Sequence, residues 1–344
     1  MRWKKLRADE EEYSTARQRH AEYYLEFVQE RAAQLRTREE ATALHEMERE
    51  FDNLRSALEW SSLQDAQLCT QLALAFHQPL HFRGFWNEAR EVLSTGWQAA
   101  QELGGDGQVL RANLRHYLAS IAHDMGDVQT ACEYAESNLE EFQKLHDAAG
   151  EANTLNLLAL LATENGDEDK ARELCEAALA RWPFSNSTGK AKTLHNLARI
   201  ASQRGNIEEA RQYYEKCLVE RRRGGDLRGE AETLGNLGVL AQKQNDLQTA
   251  HDFYCKSLKL RRNLRDPLGT AVMLFNLAEV AEIKNDYEIS ILLFIHAGRI
   301  FEELQSAYAA APTEALERIQ EKIGGETYMD LYQRAEKRAW EEVM

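Results

Sequence analysis

Three asparagines, Asn196, Asn236 and Asn276, stand 40 residues apart along the chain. A side-chain amide offers both a donor and an acceptor, the complement of a peptide unit. A ladder of them therefore suits holding the backbone of an extended polypeptide. By helical spacing, His195, Arg199, Gln203, Gln242, Lys243, Phe275 and Glu279 share or flank that face and complete a candidate partner-binding groove. Their mixed charges name no ligand, and a clamp for a terminal carboxylate would need more aligned basic residues. The competing reading gives the asparagines to helix packing or to the solvent shell. The ladder is also incomplete, because Tyr117 and Leu157 stand at the matching positions of two earlier units.

Other chemistry is sparse. His77 and His81 lie one helical turn apart and could share a metal, but Pro79 sits between them and no third ligand is in view. Ser187-Thr188-Gly189-Lys190-Ala191 lacks the upstream glycine and the hydroxyl after lysine that a phosphate loop needs, so it reads as a turn and a helix start. Carboxylates such as Glu10-Glu11-Glu12 come with no inferable apolar pocket to shift them. There is no nucleophile-elbow motif and no cysteine–histidine signature. Cys69, Cys132, Cys175, Cys217 and Cys255 form no close pair and read as small buried fillers in a reducing compartment. No catalytic residue, cofactor or metal is assigned, and the expectation is a non-enzyme.

The elements that must carry the ladder are set by a recurring phrase. Gly126-Asp127, Gly166-Asp167, Gly205-Asn206, Asn245-Asp246 and Asn285-Asp286 begin at steps of 40, 39, 40 and 40, four of them followed four residues later by alanine and the last by Ser290. A fixed period of this length means one helical unit stacked on copies of itself. In residues 190–204, Leu194, Leu197, Ile200 and Ala201 fall on one face; Gly205-Asn206 breaks that helix; Ala210, Tyr213, Tyr214, Cys217 and Leu218 line a second. Asp226, after Gly224-Gly225, is placed to cap the next helix. An earlier unit is visible at Gly84-Phe85-Trp86. The spacing predicts an all-α, right-handed superhelical solenoid of antiparallel helix pairs. About six pairs lie in 64–308, between an N-terminal helical segment (1–63) and a C-terminal helical cap (309–344).

Both ends depart from the period. Residues 14–62 read as two amphipathic helices, the second carrying Met47, Phe51, Leu54 and Leu58. In the last repeat, Ile289, Ile291, Leu292, Leu293, Phe294 and Ile295 are apolar nearly all round and demand cover on every side. The tail, opened by Pro312-Thr313 and divided at Gly324-Gly325, is the simplest cover; a dimer or partner surface is the alternative.

Asn236-Leu237-Gly238, Ala250 and Tyr254 resemble the tetratricopeptide repeat, in a variety with longer helices. In peptide-binding members, the matching asparagine faces the concave groove. The phrase Arg19-His20-Ala21-Glu22-Tyr23-Tyr24, with Phe51-Asp52-Asn53-Leu54-Arg55 and Trp60, resembles the segment joining winged helix to repeats in bacterial STAND-type signalling ATPases and transcriptional regulators. Leu258 to Gly269 and the tail from Ile319 through Tyr332 to Trp340-Glu341-Glu342-Val343 are similar to that family too. The resemblance implies a sensor region that binds a protein, peptide or small inducer and acts on an attached or separate ATPase or DNA-binding effector through a small change of curvature. A stand-alone adaptor is the alternative.

Composition narrows the partners. A net charge of −15 argues against direct nucleic-acid binding, which depends on cations replacing phosphate counterions. No apolar run approaches a membrane span, and Met1 to Leu6 have no apolar core behind their charges, so a cytoplasmic location is expected.

Overall fold

The computed structural model describes residues 10–338. The opening segment Met1 to Leu6 and the final Trp340 to Val343 phrase lie outside them. Every regular element among the described residues is helical. In chain order the α-helices are α1 (Glu10–Ala32), α2 (Glu40–Arg49), α3 (Phe51–Gln64), α4 (Ala66–Phe82), α5 (Trp86–Ala100), α6 (Gln108–Asp124), α7 (Val128–Lys144), α8 (Ala148–Glu164) and α9 (Glu168–Arg181). They continue as α10 (Ser187–Gln203), α11 (Ile207–Arg223), α12 (Leu227–Lys243), α13 (Leu247–Asn263), α14 (Pro267–Ile283), α15 (Tyr287–Glu303), α16 (Ala310–Ile323) and α17 (Gly325–Ala335). From α4 to α15 these form six helix–turn–helix repeats. A short 3₁₀ stretch, Gln101–Gly107, separates the first two.

Two compact units divide the chain: residues 1–35 with 39–200, and residues 36–38 with 201–344. In the first, α1, α3 and α4 pack together around Val28, Met47, Leu54, Leu72 and Phe76. The segment before the repeats holds three helices rather than two. The extra break falls at Glu50, whose carboxylate accepts from Tyr24 Oη (2.7 Å) and from Asn53 Nδ2 (2.7 Å), pinning a turn between α2 and α3.

Each repeat is punctuated twice, and the same physics serves both turns. The residue before the cap takes a left-handed backbone: Gly126 (φ 81°), Gly166 (φ 77°) and Gly205 (φ 77°), then Asn245 (φ 60°) and Asn285 (φ 61°). An aspartate cap follows at four of the five, while Asn206 after Gly205 makes no side-chain capping bond. Asp127 accepts from Thr130 N (3.1 Å) and Asp246 from Thr249 N (3.1 Å). Such a cap is worth about 0.5–2 kcal/mol against alanine. Between repeats, Asp147, Asn186, Asp226 and Asp266 accept from Gly150, Gly189, Gly229 and Gly269 N at 2.9–3.0 Å. The 187–191 string is thus a capped helix start, as its sequence suggests.

Those four glycines lie under large side chains. A Cβ on them would strike Phe142, Trp182, Arg221 and Arg261, respectively. Arg221 and Arg261 also pair with the cap carboxylates of Asp226 and Asp266. The basic runs at 221–223 and 261–262 are therefore not simply helix ends in solvent. Their leading arginines belong to the interior, Arg221 being 4% exposed.

In the second unit, α12 and α13 approach closely, as do α14 and α15. Tyr254 is fully buried against Gly238. The apolar helix α15 is covered by α14, α16 and α17, with Ile291, Leu292, Leu293 and Phe294 sharing a core with Ala315, Ile319 and Ala335. The described part of the tail thus lies on α15, and Gly324 (φ 84°) makes the corner between its two helices.

Gly238 tests the close approach. A Cβ there would sit 2.5 Å from the Tyr254 ring, whereas one at Gly235 would meet the flexible tip of Met273 at 3.3 Å. Overpacking costs about 1–3 kcal/mol, against about 1 kcal/mol gained from alanine's helix propensity. Gly238→Ala should lower the urea midpoint and Gly235→Ala should leave it unchanged or raise it, as followed by circular dichroism.

Candidate functional site

The candidate groove residues lie on the first helices of the last three repeats. In the first unit, His195, Asn196 and Arg199 lie on α10 and are each half-buried. Arg199 Nε and Nη2 are enclosed and have no acceptor among the described residues. In the second unit, Gln203 ends α10 and is exposed. Asn236, Gln242 and Lys243 lie on α12; Phe275, Asn276 and Glu279 lie on α14.

These residues divide by what they touch. Tyr254 Oη donates to Gln242 Oε1 (2.8 Å), and Gln242 Nε2 reaches Glu279 Oε2 (3.4 Å). Burial raises the Glu279 carboxyl above its ordinary range. Phe275 stands edge-on to Phe294, with ring centroids 5.1 Å apart, and is part of the core beneath the face. Lys243 is exposed. Asn196, Asn236 and Asn276 are half-buried and make no hydrogen bond within the protein among the described residues.

The two positions that break the ladder are occupied by packing. Leu157 is 8% exposed in the core between α6, α7 and α8. Tyr117 lies against the His77 ring, with centroids 4.1 Å apart. His77 is itself 2% exposed, and burial drives its imidazole down to about 3. It therefore stays neutral in the core and is separated in role from His81, which bonds Asp124 (2.7 Å). Among the described residues, no group of three or more histidines, cysteines or acids is arranged to hold a metal. The buried thiols of Cys69 and Cys175 are pushed up to about 11 and about 12 by desolvation.

A feature that sequence reasoning missed lies on the last turns of α4, α6 and α8. His81 Nε2 bonds Asp124 Oδ2; Asp124 Oδ1 faces His123 Nδ1 (3.4 Å); His123 Nε2 bonds Glu164 Oε1 (2.9 Å). Each imidazole thus reaches from one repeat to a carboxylate of the next. The Asp124 bond and then Glu164 outweigh burial and raise His123 to about 9. Burial pulls Asp124 upward, yet its bonds from His123 and His81 bring it down to about 2. The only sequence signal was the recurrence of His81 and His123 three residues before Gly84 and Gly126.

Comparison with known proteins gives the fold a family context. Residues 110–183, 150–218 and 190–263 match the family model of the tetratricopeptide repeat in overlapping frames. Among solved structures, BtubC (BKLC) from P. vanneervenii is 24% identical, with a TM-score of 0.56 over 64% of this chain and 92% of that one. The apo form of the quorum sensor NprR from B. thuringiensis is 14% identical, with a TM-score of 0.55 over 86% of each chain. A Rap protein complexed with competence and sporulation factor is 12% identical, with a TM-score of 0.56 over 90% of this chain and 98% of that one. These identities speak for fold alone. No curated protein matches the sequence. No described helix is long and apolar enough to cross a membrane.

The histidine–carboxylate chain has a signed pH dependence. His123 gains proton affinity on folding, so its contribution to stability is complete below its ordinary value of 6.5 and is lost as pH rises through about 9. Asp124 contributes above 3.8 and loses its part as pH falls through about 2. Chemical denaturation from pH 6 to 10 should show stability declining in wild type and much less in His123→Gln. An NMR midpoint for His123 near 6.5 would contradict the assignment.

Proposed function

With residues 110–263 carrying tetratricopeptide repeats, we propose that the chain is a non-catalytic scaffold that binds a peptide or protein segment along its first-helix face. The observation that carries this reading is the state of the asparagines. Asn236 and Asn276 occupy one position of α12 and α14, stay partly open to solvent and leave their amides uncommitted to the protein. Buried Asn138 spends its Nδ2 on the Ala112 carbonyl (2.8 Å), and buried Asn156 leaves its amide without a partner among the described residues, but both are closed to solvent, whereas the amides of the α12 and α14 positions are uncommitted and open to a ligand. Asn196 on α10 is in the same uncommitted state. Gln242, Glu279 and Phe275 have a supporting part in this reading, fixing the walls against which a backbone would lie.

The finer reading is a regulatory one. The Arg19–Tyr24 and Phe51–Trp60 phrases resemble the joining segment of STAND-type regulators, and residues of that phrase make the Tyr24–Glu50–Asn53 clamp. Arrays of similar fold include a quorum sensor and a Rap protein complexed with competence and sporulation factor. We take from these that ligand occupancy, rather than constitutive tethering, is what the chain reports to an effector.

The test is a peptide-display selection on immobilised protein, followed by affinity measurement on the enriched peptides. Asn236→Ala/Asn276→Ala should weaken binding at least about tenfold, the scale of losing two backbone-directed hydrogen bonds, with helicity unchanged. Equal affinity in the double variant would sink the groove reading. A ligand-independent interaction with a partner would favour the adaptor.

A further inference from the structure

A seam recurs between the second helix of one repeat and both helices of the next. Between α7, α8 and α9 it is a cavity of about 150 Å³ lined by Leu158, Ala162 and Leu174. Between α13, α14 and α15 it is about 140 Å³, lined by Leu277, Ala281 and Leu293. The matching seam between α5, α6 and α7 measures about 410 Å³. Leu118, Ala122 and Tyr134 take the equivalent positions there.

The cause of the enlargement is local. The helix position filled by Leu155 in α8 and Leu274 in α14, both buried, is Arg115 in α6. An arginine does not plug the seam as leucine does. Its guanidinium lies 4.9 Å from the Trp97 ring centroid, and Nη1 donates to Ser137 Oγ (3.0 Å). Trp97 itself replaces the leucine found at this position in other repeats, Leu139 and Leu258. Arg90 stands at the same cavity, where α7 and α13 have Cys132 and His251. Its only hydrogen bond among the described residues is a long one to Asn87 (3.5 Å).

The charge balance at the cavity is positive in a chain of net charge −15. Two arginines face one carboxylate, Asp127, which is already engaged in capping α7. Trp97, Leu118, Met125 and Tyr134 supply apolar wall. Enclosure by three helices and a volume within the roughly 300–1,000 Å³ of small-molecule sites favour a compact ligand over a polypeptide. Arg115 retains donors beyond the one given to Ser137, in the planar fork that suits a carboxylate.

We propose that this seam binds a small aromatic acid, its ring system against Trp97, Leu118, Met125 and Tyr134 and its anionic group on Arg115 and Arg90. The site is independent of the asparagine face. It uses the stripe Leu118–Ala122–Met125, which points to the neighbouring second helix, and not the row marked by Tyr117.

The test titrates the purified chain with 8-anilinonaphthalene-1-sulfonate, which joins an aromatic body to one anionic group. One saturable site per chain is expected. Arg115→Leu restores the residue of the sister repeats and should refill the seam, whereas Arg90→Gln removes charge alone. Each should weaken binding, the first by about tenfold or more on losing a charge-assisted contact. N-phenyl-1-naphthylamine, with the same rings and no sulfonate, should bind more weakly than the anion. If Arg115→Leu fails to fold, Arg90→Gln and the neutral analogue carry the test. Non-saturable binding, affinity unchanged in both variants, or equal affinity for the neutral analogue would each overturn the proposal. So would loss of the probe in Asn236→Ala/Asn276→Ala, which would move it to the groove. Retention there, with the arginine effects present, supports the seam whether or not the groove reading survives.

Discussion

The structure depends on how closely a helix can start beneath the end of the one before it. At the junctions before α8, α10, α12 and α14, a cap residue receives the N–H of a glycine three positions on. The preceding helix lays Phe142, Trp182, Arg221 or Arg261 over that glycine. Any side chain there would push the large group away and rotate the new helix start. The junction therefore fixes the register of these four first helices, and with it which residues line the candidate groove and which face the seam. Polar partners complete it: Trp182 Nε1 donates to Thr193 Oγ1, and Thr193 in turn to the Gly189 carbonyl.

The covering group can be aromatic or cationic because both are broad and flat, but they impose different costs. Phe142 and Trp182 bury apolar area outright. Arg221 is as deeply enclosed, and an unpaired charge at that depth would be strongly destabilising. Asp226 supplies the counter-charge while keeping its capping bond to Gly229, so one carboxylate satisfies both demands. The aspartate in these junctions thus has two simultaneous roles, which explains why the arginine sits five residues before it at both 221/226 and 261/266.

Much of this was legible in the chain. The period, the Gly-Asp and Asn-Asp turns, the capping aspartates and the cover required by α15 all follow from local residue chemistry. What escaped sequence reading depends on distance along the chain. His81 and Asp124 are 43 residues apart, and His123 and Glu164 are 41 apart, so no local pattern joins them. The basic runs were legible as charge, but burial of their first arginine needs the glycine beneath it. The third N-terminal helix escaped because Glu50 looks like any exposed helical glutamate until Tyr24 is seen to reach it. The wide seam escaped because a cavity is a volume difference between repeats, visible only once Arg115 is seen standing where Leu155 and Leu274 stand. Of the candidate groove, the asparagine positions were legible, whereas the commitment of Gln242 to Tyr254 and Glu279 was not.

The histidine–carboxylate chain couples spacing to protonation. His123 owes its raised proton affinity first to Asp124, its neighbour on α6, and then to Glu164, across the gap between α6 and α8. Drawing α6 and α8 apart would remove the Glu164 part of that affinity and leave the Asp124 part, which lies on the same helix. Conversely, a proton bound there resists the separation. The last turns of the first helices thus link the spacing of neighbouring repeats to the protonation of a single imidazole.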